Sequence, residues 1–366
     1  MFYGRIFPTS RFTLPSIGLH AASGVSAMSR RVHRGASVYP QAGIRRRPTD
    51  AARAFKGVAA LTGGRRLSTG HGRKCLSAGF SRRVSYSAPT GPIMLKTRIL
   101  TALVALPLAI AAIIWLPTGG VVAAVAALML VGAWEWACMM GADRGQRALF
   151  VALVALVIGV LWALAGPVFA GVSGTLIIGA ACAFWVAVIA LLARFPSGWA
   201  ATLGQPGWAT LAGCIVLGAP VAALGYIHHL DHGAWLILVL CFMIWGADTG
   251  AYIAGKTLGQ RKLIPAVSPG KTLEGAYGGI AAAMVFGALG AFVLDLSALR
   301  ILGFTVMGAA IALVSIVGDL TISMFKRSAG LKDSGAFFPG HGGVLDRLDS
   351  LIAAAPWFVV GLWLLA

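Results

Sequence analysis

Between residues 315 and 350 the chain carries carboxylates and cations at a density that an apolar run does not need: Asp319 and Ser323, Lys326-Arg327, Lys332-Asp333, His341, Asp346-Arg347 and Asp349. Asp319 and Ser323 stand one helical turn apart, and Asp346 and Asp349 do so on the following helix. If those helices pack as neighbours, the carboxylates meet at one place. Carboxylates beside Lys326, Arg327, Lys332 and Arg347 suit Mg²⁺ and phosphate groups, because Mg²⁺ takes hard oxygen ligands and commonly bridges substrate phosphates. The competing reading is a loop tied by salt bridges, with Asp346 and Asp349 complementing the positive end of the last helix.

Two earlier segments have related chemistry. Asp248 and Tyr252 fall one turn apart at the end of an apolar run. Directly after them come Gly255, Lys256, Gly259, Arg261 and Lys262, then Ser268-Pro269-Gly270-Lys271-Thr272-Leu273-Glu274-Gly275. Glycines, hydroxyls and lysines ahead of a helix can hold phosphate through backbone N–H groups and the helix N-terminus. It is not a Walker loop, since Pro265 stands where that motif has its first glycine. Glu135, within Trp134-Glu135-Trp136, reads as structural rather than catalytic. His228, His229, Asp231 and His232 read as a solvated connection in preference to a metal site. The cysteines form no CxxC pair and read as small core residues.

The elements that must position these groups are membrane spans. Of 366 residues, 58% are hydrophobic and 11% charged, which points to lipid as the first solvent. Runs of about 20 apolar residues predict nine spanning helices near 99–116, 120–141, 148–170, 172–193, 207–227, 233–254, 273–295, 300–324 and 346–366. Pro167 and Gly171 mark either a tight hairpin or a break between the third and fourth, which leaves eight as an alternative. Alternating nine spans from a cytoplasmic start puts every Lys and Arg from Lys96 onward inside, except Arg300. The prediction is an all-α polytopic membrane protein with about nine transmembrane helices and a polar active-site cavity facing the cytoplasm.

Residues 1–93 contain 16 of the 30 Lys and Arg and a single acid, Asp50. The high net charge of +19 therefore describes this arm and implies no nucleic-acid partner for the body. An Arg- and Ser-rich, acid-poor stretch reads either as an organellar transit peptide or as a disordered, over-extended start ahead of Met94-Leu95-Lys96-Thr97-Arg98. The second reading is preferred, which places the functional domain at 94–366 and in a bacterial inner membrane.

The 27-residue stretch from Ser323 to Asp349 resembles the signature of the phosphatidate cytidylyltransferase family. Its Ser323, Lys326-Arg327, Lys332-Asp333, His341-Gly342-Gly343, Asp346-Arg347 and Asp349 fit without departure, and the Asp248 and Ser268–Gly275 segments look like that family's upstream blocks. The resemblance covers 94–366 and implies conversion of CTP and phosphatidate to CDP-diacylglycerol and pyrophosphate. It further implies metal coordination by Asp319 and Asp346, with Asp248 and Asp349 close to the nucleotide and metal. Lys326, Arg327 and Lys332 would neutralise phosphate. Ser268, Lys271, Thr272, Ser323, Asp333 and Arg347 would complete the substrate site, and His341 would serve binding ahead of general-base work. Mg²⁺ is the expected cofactor, with room for a second cation, and a homodimer is a family-based expectation. Two rivals are a transporter, disfavoured because the charges gather at one membrane face, and a CDP-alcohol phosphotransferase, whose Asp-Gly…Ala-Arg signature is missing.

Overall fold

A computed structural model describes residues 92–165, 171–194, 202–265, 267–338 and 342–366. The arm up to residue 91 and His341 lie outside the described residues, as does the junction 166–170. Nine helices are present among the described residues: α1 (Pro92–Trp115), α2 (Thr118–Met139), α3 (Arg144–Ala165), α4 (Gly171–Ala193), α5 (Pro206–His229), α6 (Gly233–Thr257), α7 (Leu273–Val293), α8 (Ala298–Ser328) and α9 (Leu345–Leu364). Eight of them are long and apolar enough to cross a membrane. The ninth, α1, is 24 residues long and has Pro107 inside it.

The predicted spans match these helices closely, with two differences. At 31 residues, α8 is roughly 46 Å long at 1.5 Å per residue, which exceeds a hydrocarbon core of about 30 Å. Its last turns, with Lys326 and Arg327, therefore continue past the apolar run that ends near 324. Between α6 and α7 the chain also forms a small antiparallel hairpin, β1 (Lys262–Ile264) with β2 (Ser268–Thr272), in which Lys262 pairs with Thr272.

Cross-ties at both ends show α2 and α5 running in opposite directions. At one end Trp136 of α2 donates its indole N–H to the Ala209 carbonyl of α5 at 3.0 Å. At the other, His228 of α5 lies 3.0 Å from both the Thr118 hydroxyl and the Ile113 carbonyl, and Trp363 of α9 donates to the Tyr226 hydroxyl. His228 is thus a tie between helix ends. Trp136, Trp185 and Phe358 are fully buried, while Leu103, Leu149, Leu176 and Val285 stand exposed. Such an apolar outer surface suits lipid contact. Cys182 is buried, and Cys138, Cys214 and Cys241 are half-buried and free.

In α6 and α7, small residues set the distance between helices, since lipid supplies no hydrophobic force to join them and backbones must approach closely. A Cβ on Gly278 would press on Ala254 and lie 2.8 Å from the Gly250 carbonyl oxygen, and one on Gly279 would lie 2.8 Å from the Ala247 carbonyl oxygen. Gly278→Val should therefore force α6 and α7 apart, an overpacking that costs roughly 1–3 kcal/mol. The expected result is a lower melting temperature in detergent. An unchanged melt would mean that these helices separate freely.

Candidate active site

The end of the bundle that holds the second half of α6, the hairpin, the start of α7 and the second half of α8 encloses a cavity of about 400 Å³. Asp248, Tyr252 and Lys256 line it from α6, Lys271 and Thr272 from β2, and Asp319 from α8. The three segments singled out by their chemistry thus meet, although 71 positions separate Asp248 from Asp319. Lys271 forms an ion pair with Asp319, and the Ser323 hydroxyl donates to Asp319 Oδ1 at 3.2 Å. Lys256 reaches the Tyr252 hydroxyl at 3.4 Å and lies over its ring.

Local order at the hairpin comes from α7. Thr272 is its N-cap, with the hydroxyl accepting from the Gly275 N–H at 3.1 Å, a use of a hydroxyl that satisfies a helix-start donor. Glu274 accepts from the backbone N–H groups of Gln260 and Arg261 at 3.0 and 3.1 Å and pairs with the Arg261 guanidinium. The Leu273 N–H is taken by the Arg261 carbonyl. With two of α7's first N–H groups engaged in this way, charge for a phosphate comes chiefly from Lys271 and Lys256. Ser268 is half-buried on β2.

Asp349 joins the carboxylates. A Cβ at Gly318 would strike the Asp349 carbonyl and lie 2.8 Å from Ala353, so α8 and α9 touch through backbone beside Asp319. Asp349 is within electrostatic reach of Asp319, Asp248 and Lys271, and its Oδ1 accepts from the Ser350 N–H at 2.7 Å.

Asp346 belongs to a second cluster. Its Oδ1 accepts from Lys326 Nζ at 2.6 Å, and its Oδ2 accepts from the N–H groups of Ser334 at 2.8 Å and Gly343 at 3.0 Å. Lys326 is buried there, whereas Arg327 in the last turn of α8, Lys332 and Asp333 on the loop and Arg347 at the start of α9 are exposed. Gly342, at φ +85°, makes the turn that delivers Gly343.

Glu135 anchors this loop. It is 5% exposed, and its carboxylate accepts from the Ser334 hydroxyl at 2.8 Å and from the N–H groups of Val344 and Leu345 at 2.9 and 3.0 Å. The α9 N-cap, Val344, offers no side-chain cap of its own, so a residue of α2 caps α9. Sequence reasoning gave Glu135 a structural role without its partners and missed Ser334, whose hydroxyl and N–H serve the two carboxylates in turn.

Which of these groups could hold a metal follows from donor chemistry. A carboxylate offers about four lone-pair positions, and Asp346 uses three. Asp319 is partly exposed to the cavity. Among the described residues no three His, Cys, Asp or Glu side chains are grouped for a metal ion. One or two carboxylates, completed by water and phosphate oxygens, is the arrangement Mg²⁺ commonly adopts, so the residues present fit that ion.

Fold and cavity together define a multi-span membrane protein with a carboxylate- and lysine-lined site at one end of its bundle. The profile of the cytidylyltransferase family matches residues 96–365. A phosphatidate cytidylyltransferase of Pseudomonas aeruginosa is 40% identical over 274 residues, covering 74% of this chain and 97% of that protein. Those of Haemophilus influenzae and Bacillus subtilis are 46% identical over 136 residues and 39% over 157, covering 36% and 43% of this chain and 47% and 58% of theirs. The chain belongs to the cytidylyltransferase family.

Proposed function

We infer that this chain is a phosphatidate cytidylyltransferase, which makes CDP-diacylglycerol and pyrophosphate from CTP and phosphatidate in phospholipid synthesis. The observation that carries the reading is the cavity that gathers Asp248, Lys271 and Asp319 at one end of a lipid-facing bundle, together with a full-length relative of that activity.

Phosphatidate brings its own nucleophile. A phosphate oxygen attacks the α-phosphorus of CTP, a P–O bond forms, and the bond to the β-phosphate oxygen breaks as pyrophosphate leaves with that electron pair. The protein's task is to position two anions and offset their repulsion, which for one unit-charge pair at 4 Å is about 4 kcal/mol at an effective dielectric of 20. Lys271 and Lys256 supply positive charge at the cavity wall, Lys326 and Arg327 supply it at the end of α8, and Lys332 on the loop that follows. Asp248 and Asp349 lie beside the nucleotide and metal positions, and Ser268, Thr272, Ser323, Asp333 and Arg347 complete the substrate site. Asp319 and Asp346 are the residues that would hold Mg²⁺. When bound, Mg²⁺ neutralises phosphate charge and stabilises the negative charge that develops on the leaving group. A second cation beside the remaining carboxylates and a phosphate contact by His341 belong to the same reading. The site faces the cytoplasm, where CTP arrives, while the acyl chains stay in lipid; a homodimer and a bacterial inner membrane complete the assignment. Residues 94–366 form the catalytic domain, and 1–93 are dispensable for it.

The test uses purified full-length chain in detergent with labelled CTP. Pyrophosphate release and lipid-linked CMP that require both phosphatidate and Mg²⁺ are expected. Consumption of a CDP-lipid, or no CTP turnover by folded protein, would overturn the reading.

A further inference from the structure

The charged mouth of the cavity accounts for phosphate chemistry and leaves its inner end without a role. There the wall is built from Ala247, Gly279 and Ala312, with one polar group among them, Ser315. Ser315 is 2% exposed, and its hydroxyl has no hydrogen-bond partner among the described residues. Buried hydroxyls are normally paired, so an unpaired one calls for a partner. Its own helix could have supplied one. Thr305 and Thr321 of α8 both donate to the carbonyl four residues back, at 2.7 Å, as Ser and Thr in helices commonly do. Ser315 does not; the residue lines the cavity, its hydroxyl oxygen is covered in this conformation, and a turn about its Cα–Cβ bond is what presents that hydroxyl to a ligand.

Ser315 precedes Asp319 by four residues on α8, about 6 Å along the axis and toward the middle of the membrane. A phosphatidate with its phosphate at Lys271 and Asp319 has its glycerol esters displaced in that same direction, one short linker away from the phosphate. We propose that the Ser315 hydroxyl donates a hydrogen bond to a fatty-acyl ester carbonyl of phosphatidate and so selects ester-linked lipid. The small residues beside it leave room for the glycerol carbons, and CTP, which enters from water, keeps to the charged mouth. The proposal rests on the reading of this cavity as the phosphatidate site.

Full-length wild type and Ser315→Ala are compared in detergent with diacyl phosphatidate and with a dialkyl ether phosphatidate, which lacks the carbonyls. Wild type should favour the diacyl lipid in kcat/KM by roughly 3- to 10-fold, the range of one hydrogen bond. In Ser315→Ala that preference should fall to about one through a loss with the diacyl lipid alone, while the KM for CTP stays constant. The melting temperature without lipid should hold or rise, because no protein hydrogen bond is removed. The increase in melting temperature caused by diacyl phosphatidate should shrink. Equal losses with both lipids, a raised KM for CTP or unchanged kinetics would each overturn the proposal. Failure of the underlying reading is seen separately, as wild type that turns over neither lipid.

Discussion

Asp319→Asn is expected to lower turnover by roughly two to three orders of magnitude, the scale seen when a group stabilising transition-state charge is removed, while the protein inserts, purifies and melts as wild type does. Asparagine keeps the shape of the side chain and can still accept from Ser323, whose hydroxyl donates to Asp319 at 3.2 Å. What it removes is the negative charge facing Lys271. Both partners of that ion pair are about a third exposed, at 27% and 32%, and pairs so placed contribute little to stability. Loss of activity without loss of melting temperature therefore reports the chemistry of the cavity. The measurement is kcat at saturating CTP and Mg²⁺ beside a melting curve. Wild-type kcat in this variant would overturn the proposed role of Asp319 in holding Mg²⁺ and with it the proposed pairing of Asp319 and Asp346.

Much of the site was legible because charge inside apolar runs is costly and conspicuous. Asp248 and Asp319 stand out for that reason, and the spacing within their segments placed them on helix faces, whereas Lys271 stood out in the glycine- and hydroxyl-rich stretch ahead of a helix. Spacing within one helix carries no information about the rotation of the next, however. Asp346 and Asp349 share a helical turn, yet the first is held by Lys326, Ser334 and Gly343 while the second lies within electrostatic reach of Asp319. The hairpin at Lys262–Thr272 was invisible because β1 is only the three residues Lys-Leu-Ile and β2 holds Ser, Pro and Gly, so neither shows a strand's alternation. The last turns of α8 were missed because hydropathy stops where lipid stops, whereas the helix does not. Ser315 looks ordinary in sequence. Only the contrast with Thr305 and Thr321 distinguishes it, and that needs coordinates. Glu135 lies 199 residues from Ser334, a pairing that no local pattern encodes.

Glu135→Ala should be the most damaging substitution outside the cavity. The side chain contacts no cavity residue through its hydrogen bonds, but it satisfies three buried donors: the Ser334 hydroxyl and the Val344 and Leu345 N–H groups. Each buried donor left without a partner costs roughly 1–3 kcal/mol, so a loss of about 3–6 kcal/mol is expected, with some relief where water can enter. The same donors fix the start of α9, which carries Asp346 and Asp349, and the loop that brings Gly343 to Asp346. Gly335 and Gly343 pack so closely on this carboxylate that a Cβ at Gly335 would lie 2.5 Å from Glu135 Oε1, leaving little room for the loop to settle elsewhere. Stability and activity should fall together, at least 100-fold in kcat at a temperature where the protein is still folded. Glu135→Gln, which keeps one acceptor oxygen, should fall between wild type and alanine on both measures. That graded, joint loss separates a positioning residue from a catalytic one, because Asp319→Asn should lose kcat alone. A Glu135→Ala protein that melts like wild type would show that α9 and its aspartates are held in place by something other than this cap.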